Sequence, residues 1–269
     1  MRYMELIENI KTIRDFKKES VSRDTIEQII ETGYNSSGLL GSDNISIRFI
    51  DNMESLFTGL KNSAGYFGKI IEAPHYLVIT SKMFKGLMEN SGYIMESMRL
   101  KAWELGVGSC WLSIEDSEEL KKVLKIDTDN VITAFIALGY QYKGIFKTDT
   151  SQKSSRLGIE DIVYKHKWGE KISFEEIDSR GLSNVFYYSK LAPSWGNIQP
   201  WRFILCDDKV ALTVSQSNES NGLDSGIIML YFEKAAHEEG ITGNWSLYDC
   251  CSDEYDLPEN YKAVAYYSI

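Results

Sequence analysis

The strongest constraint on the fold of this chain is that part of it occurs twice. Gly92-Tyr93-Ile94-Met95 through Leu105-Gly106-Val107 and on to Trp111 aligns without a gap on Gly226-Ile227-Ile228-Met229 through Glu239-Gly240-Ile241 and on to Trp245. Arg48-Phe49-Ile50 matches Arg202-Phe203-Ile204 in the same way, with a helix and a loop expected before each. Chance likeness between two helices does not bring a terminating glycine, the β-branched residue after it and a later tryptophan into one register. A single duplication of this size predicts a pseudo-dimer within one chain, not a solenoid. The expected division is 1–165, a first half with a connecting arm, and 166–269, a smaller second half.

The hydrophobic periods fill in the elements. Met4 to Ile13 reads as a helix, and Ser22 caps a second over Asp24 to Tyr34. Ile45, Ile47 and Phe49 alternate as a strand, whereas Ala73 to Thr80 and Val131 to Tyr140 are apolar runs suited to buried strands. Tyr93 to Leu105 is the longest helix, ended by Gly106, and a charged helix covers Ser117 to Leu124. Residues 141–172 lack a period and read as the connecting arm. Ser173-Phe174-Glu175-Glu176 has capping-box spacing. A helix ending at Leu191, a strand from Trp201 to Leu205, a helix from Gly226 to Glu239 and a strand from Ala263 to Ser268 complete the chain.

Composition excludes some functions. The net charge of −10 speaks against nucleic acid or an anionic membrane as partner, and an anionic ligand would need a local basic cluster. No run approaches the roughly 18 apolar residues of a membrane span, and no secretory apolar core follows Met1 to Glu5, so a cytoplasmic protein is expected. Cys110, Cys206, Cys250 and Cys251 show no zinc-ligand spacing, and the adjacent pair reads as plain thiols. His75, His166 and His237 are scattered and suggest no triad.

Chemistry concentrates in Pro193-Ser194-Trp195-Gly196-Asn197-Ile198-Gln199-Pro200-Trp201. Pro193 fixes one torsion, Pro200 drives Gln199 out of right-handed helical geometry, and Gly196 is a joint between them. Such a helix-to-strand loop presents Ser194, Asn197 and Gln199, uncharged donors and acceptors suited to a flat ligand with polar edges. The order P-S-x-x-N-x-Q-P-W resembles the loop of the nitroreductase family, flavoenzymes carrying FMN at a dimer interface. Gly106-Val107-Gly108-Ser109-Cys110-Trp111, Ala137-Leu138-Gly139-Tyr140 and the later Arg156 also resemble family segments, as does Lys11-Thr12-Ile13-Arg14, although Ile10 stands where the family has a leading arginine.

The resemblance implies an α+β, nitroreductase-like fold, with mostly antiparallel sheets flanked by helices and two unequal fused halves. It implies FMN as cofactor, with its phosphate met by Lys11, Thr12, Arg14 and Arg156. Lys69 would lie at the N1–C2 edge of the ring, Trp111, Ser113 and Ile114 along it, and Pro193, Ser194, Trp195, Asn197 and Gln199 would complete the contacts. The implied activity passes electrons from NADH or NADPH through flavin to a nitroaromatic, quinone or similar small molecule by a ping-pong exchange, with no catalytic acid or base. A flavin store or sensor without turnover is the alternative, and a scaffold that has lost its cofactor a second. The intact polar loop opposes the last. The halves differ: Asn35-Ser36-Ser37-Gly38-Leu39-Leu40-Gly41-Ser42-Asp43 replaces the proline-framed loop in the first, and Glu175-Glu176 opens the second. One FMN per chain, in a monomer, is therefore expected.

Overall fold

The computed structural model describes residues 2–36, 39–51, 57–60, 63–142, 155–217, 221–249 and 253–269, with the backbone alone at 57 and 58. Cys250, Cys251, residues 143–154 of the expected arm and residues 37–38 of the first-half loop lie outside the described residues. The chain forms two compact units: Asn9–Ser151, the N-unit, and Met1–Glu8 with Gln152–Ile269, the C-unit.

The first helix, α1 (Tyr3–Asn9), is shorter than the period predicts. Beyond it the Ile13 N–H donates to the Ser109 carbonyl at 2.9 Å, Thr12 bridges Ser109 in parallel, and the Lys17 N–H donates to the Tyr140 carbonyl at 2.8 Å. Residues 10–17 are thus an extended strap whose backbone bonds are taken by partners far along the chain. Further on, the Val21 N–H donates to Nε2 of buried His75 at 2.9 Å, which makes this histidine a structural acceptor.

The rest of the N-unit runs α2 (Arg23–Asn35), β1 (Ile45–Asp51), α3 (Phe57–Leu60), β2 (Ala64–Gly65), β3 (His75–Ser81), α4 (Leu87–Glu104), β4 (Gly108–Trp111), β5 (Ser113–Ile114), α5 (Ser117–Leu124) and β6 (Val131–Gly139). The Ser22 side chain accepts the Thr25 N–H and caps α2, as its position predicts. The sheet order is β1-β3-β6-β4 with every neighbour antiparallel, and β2 with β5 makes a separate ribbon. All seven residues of β3 are buried, so it reads as an unbroken apolar run and not as an alternation.

The C-unit continues with α6 (Ile159–Ile162), β7 (Val163–Lys165), α7 (Phe174–Ser179), α8 (Ser183–Ser189), β8 (Trp201–Leu205), β9 (Lys209–Ser215), α9 (Asn221–Glu238), β10 (Trp245–Leu247) and β11 (Tyr261–Ser268). Its sheet order is β10-β11-β9-β8-β7; only β7 joins in parallel, beside β8. The boundary expected after residue 165 differs from the observed division, because β7 hydrogen-bonds into this sheet and draws the end of the expected arm into the C-unit. Phe186, Phe203, Phe232, Trp245 and Tyr267 pack edge-to-face and tilted around Phe232, with centroids 5.1 to 5.7 Å from it. No described helix is long and apolar enough to cross a membrane.

Gly108 lets the strap lie on β4. A Cβ there would sit 2.6 Å from Ile13 Cγ1 and 2.9 Å from Ile13 Cβ. Gly108→Ala is therefore expected to destabilise the protein by about 1–3 kcal/mol, the usual range for overpacking. Chemical denaturation of the two proteins checks this; an unchanged midpoint would show that the strap yields freely.

Candidate functional site

Two groups of the expected residues are assembled, one in each unit. In the N-unit the strap carries exposed Lys11, half-buried Thr12 and exposed Arg14 past the edge strand β4. Arg14 Nη2 donates to the Tyr66 hydroxyl at 2.8 Å, and its guanidinium carbon lies 4.6 Å from the centre of the Tyr66 ring. Tyr66 opens a tight turn closed by Lys69, their backbones bonded at 2.8 and 3.1 Å in the two directions. Gly65, just before it, pairs with Ser113, and Ala64 with Ile114. One continuous set of contacts therefore links Thr12, Arg14, the Lys69 turn and the Ser113-Ile114 ribbon. The stacked phenol holds Arg14 without cancelling its charge, and this support, Tyr66, escaped the sequence reading.

Trp111 is anchored on its other side. Its indole Nε1 donates to Glu96 Oε2 at 2.7 Å, while Arg99 Nη1 bonds both oxygens of Glu96 at 2.9 and 2.7 Å and Arg99 Nε reaches Ser109 Oγ at 3.1 Å. Glu96 and Arg99 are 0 and 2% exposed, so this pair survives because each charge faces the other and the remaining lone pairs are met. Glu96 and Arg99 lie on one face of α4 and read in sequence only as helix residues. Cys110, between Ser109 and Trp111, is fully buried; burial pushes its thiol up to about 11, against the pull of Arg14 and Arg99, and it is no nucleophile.

In the C-unit the proline-framed loop is turned by three residues with positive φ: Gly196 at 57°, Asn197 at 58° and Gln199 at 50°. Pro200 excludes right-handed helix at Gln199, and the left-handed region is the conformation adopted. The Gln199 side chain faces inward and is 5% exposed. Its Oε1 accepts the Leu157 N–H at 2.8 Å, and its Nε2 donates to the carbonyls of Asn197 at 3.1 Å and Ser155 at 3.3 Å. Gln199 is therefore the wiring of the loop, where the sequence reading had it presented to a ligand.

Ser194 Oγ accepts the Gln199 N–H at 3.0 Å, which leaves its hydroxyl proton to donate. Asn197 Nδ2 donates to Ser155 Oγ at 3.0 Å, and Asn197 Oδ1 is buried with no hydrogen-bond partner among the described residues. Trp195 is 43% exposed at the tip, and Pro193 is half-buried. Arg156 turns toward the loop: its Nη1 donates to the Ala192 carbonyl at 2.7 Å. Burial draws the Arg156 guanidinium below its ordinary pKa, with Tyr231 and Asp224 pulling it back.

Comparison with known proteins gives these two assemblies a family. A family model described as "Putative TM nitroreductase" matches residues 2–236, and the chain belongs to that family. The fold is similar to that of a "putative nitroreductase" from Thermotoga maritima MSB8, with a TM-score of 0.64 and 15% identity over 99% of this chain and 93% of that one. A nitroreductase family protein from Clostridium difficile 630 gives 0.50 and 17% over 65% of this chain and 99% of that one. A nitroreductase with bound FMN from Bacteroides fragilis NCTC 9343 gives 0.44 and 19% over 58 and 96%. Nothing among curated proteins matches. The nitroreductase-like α+β class expected from the motifs is thus the class observed.

The buried pair behind Trp111 yields a test. Glu96→Ala would strand the Arg99 charge and the indole N–H, and is expected to cost about 3–5 kcal/mol. Replacing both Glu96 and Arg99 by leucine should cost less than the single change. Urea denaturation of the three proteins decides, and a double variant weaker than the single one would contradict the account.

Proposed function

We propose that this chain is an FMN-dependent oxidoreductase drawing electrons from NADH or NADPH and delivering them to a nitroaromatic, quinone or similar small molecule. The observation that carries the reading is Asn197 Oδ1, a buried amide oxygen with no hydrogen-bond partner among the described residues, in the same loop as the Ser194 hydroxyl. A buried acceptor without a partner costs free energy unless a ligand donor meets it, and the imide N–H of an isoalloxazine ring is such a donor. The residues present fit FMN.

Lys11, Arg14 and Lys69, with the Thr12 hydroxyl, supply cations and a donor to a dianionic phosphate and to the electron-rich edge of the ring, in a chain whose overall charge of −10 would otherwise repel both. Tyr66 fixes the Arg14 guanidinium so that less rotamer freedom is lost on binding. Trp111, Ser113 and Ile114 in the N-unit, and Pro193 and Trp195 in the C-unit, are apolar or backbone surfaces suited to a ring face. When bound, FMN would supply the redox chemistry itself, taking hydride from the nicotinamide and passing electrons to the acceptor in two separate half-reactions. The protein's part is to bind, to orient and to exclude water, and no side-chain acid or base is assigned.

The proposal extends to the duplication. Order and direction agree between β1-β3-β6-β4 and β8-β9-β11-β10, and α4 and α9 are each 18 residues long at the matched register. These likenesses support two related halves, and the differences between their loops support a single flavin in a monomer.

The protein should copurify with FMN, identified by mass after heat release, and NADH or NADPH should bleach it without oxygen. A colourless protein that binds no added FMN would overturn the reading; binding without bleaching would favour a store or sensor. Arg14→Ala should weaken FMN by about 1.5–3 kcal/mol, the worth of a hydrogen bond to a charged group, and leave riboflavin nearly unaffected. Flavin absorbance per polypeptide alongside light-scattering mass should give one FMN per monomer, and a ratio near two would end the single-flavin argument.

A further inference from the structure

We infer that Asp224 and Arg156 are positioning residues that together hold the Ala192–Gln199 loop in its ligand-ready shape, and that Arg156 acts through this loop and not on a phosphate. The inference rests on the FMN reading only for its ligand-binding arm.

Asp224, in the first turn of α9, is 4% exposed, and both its carboxylate oxygens lie 3.2 Å from the Trp195 backbone nitrogen. Arg156, ahead of α6, donates to the Ala192 carbonyl at 2.7 Å. The two anchors bracket Pro193 and Ser194, immediately before the three left-handed residues. A loop carrying Asn197 and Gln199 at positive φ keeps that conformation only when its surroundings over-determine it. Charge-assisted bonds at its entry are the stronger kind available.

The other helix shows how the same task is done without charge. In the register that sets Gly92 on Gly226, Asp224 falls on Asn90. Asn90 Oδ1 accepts the Leu40 N–H at 3.1 Å, and its Nδ2 donates to the Gly41 carbonyl at 2.9 Å. One neutral amide thus meets both a donor and an acceptor of its loop. A carboxylate can only accept, so a loop held by Asp224 needs its donor from elsewhere, and Arg156 is that donor. The pair divides between two charged side chains the work that Asn90 does alone.

The test begins on cofactor-free protein, so it stands whatever becomes of FMN. Arg156→Met should raise hydrogen exchange at the Trp195, Asn197 and Gln199 amides by about tenfold or more, while β3 amides of the N-unit serve as an unchanged reference. Adding Asp224→Asn supplies a neutral amide with a donor of its own, as Asn90 has; the double variant should return to within about threefold of the parent. Where Arg156→Met blocks folding, Arg156→Lys should raise the same exchange by about three- to tenfold. In the ligand arm, Arg156 variants should weaken FMN and riboflavin by the same factor. Unchanged loop exchange overturns the inference, as does a loss of FMN affinity that riboflavin does not share. Parent protein that binds no flavin would instead sink the functional proposal and leave the exchange result standing.

Discussion

Wherever this chain leaves its sheets, its backbone donors and acceptors must still find partners, and the residues of the candidate site are placed by how they do so. In the N-unit the partners are other backbone groups. The strap is zipped to the edge strand and the end of β6 at Ile13 and Lys17, and that pairing carries Lys11, Thr12 and Arg14 along it. In the C-unit the partners are side chains. Gln199 alone meets one backbone N–H and two carbonyls, and it allows a loop with three left-handed residues to exist at all. The first solution gives a line of cations. The second gives a turn with three left-handed residues and one buried amide oxygen, Asn197 Oδ1, without a partner among the described residues.

Charge follows the same logic. The buried Glu96 and Arg99 pair behind Trp111 acts as a fixed bracket, since each charge there has the other as its partner. Asp224 in the C-unit occupies the helix position that Asn90 occupies in the N-unit, and the structure around each differs by the partner that a carboxylate requires. Small changes of side-chain type at corresponding places therefore propagate into which elements must be nearby.

Much of this was legible in the residues. The Ser117–Leu124 helix and the Trp201–Leu205 strand begin and end where their periods predict, because each has a local cap or a proline to mark it. The strand Lys209–Ser215 escaped because Lys209, Thr213 and Ser215 leave it neither a clean alternation nor an unbroken apolar run. The helix expected over Met4–Ile13 stops at Asn9 because Ser109, remote in sequence, competes for the backbone of Ile13. A period cannot reveal such a partner. The motif marked the loop but not the division of labour inside it: Gln199 and Arg156 bond backbone groups of their own unit, a distinction that depends on burial and on the left-handed turn. Tyr66, Glu96 and Arg99 carried no signal of their own, since their roles arise only when distant segments meet.

The first helix has a consequence for how the protein is made. Residues before Asn9 belong to the C-unit, where Arg2 and the Tyr3 N–H bond Glu238 and Glu8 accepts from Tyr188. On a ribosome adding about 5–20 residues per second, Arg2 and Tyr3 wait on the order of ten to fifty seconds for Glu238 to be added. The intervening N-unit can close first, with its ladder complete, while Arg2 to Glu8 still wait for the rest of the C-unit. A duplication read as two beads on a string would predict two independent folding events. Here the second event must reach back past the first, so translation pauses between the units would lengthen the time for which Arg2 to Glu8 wait for Tyr188 and Glu238.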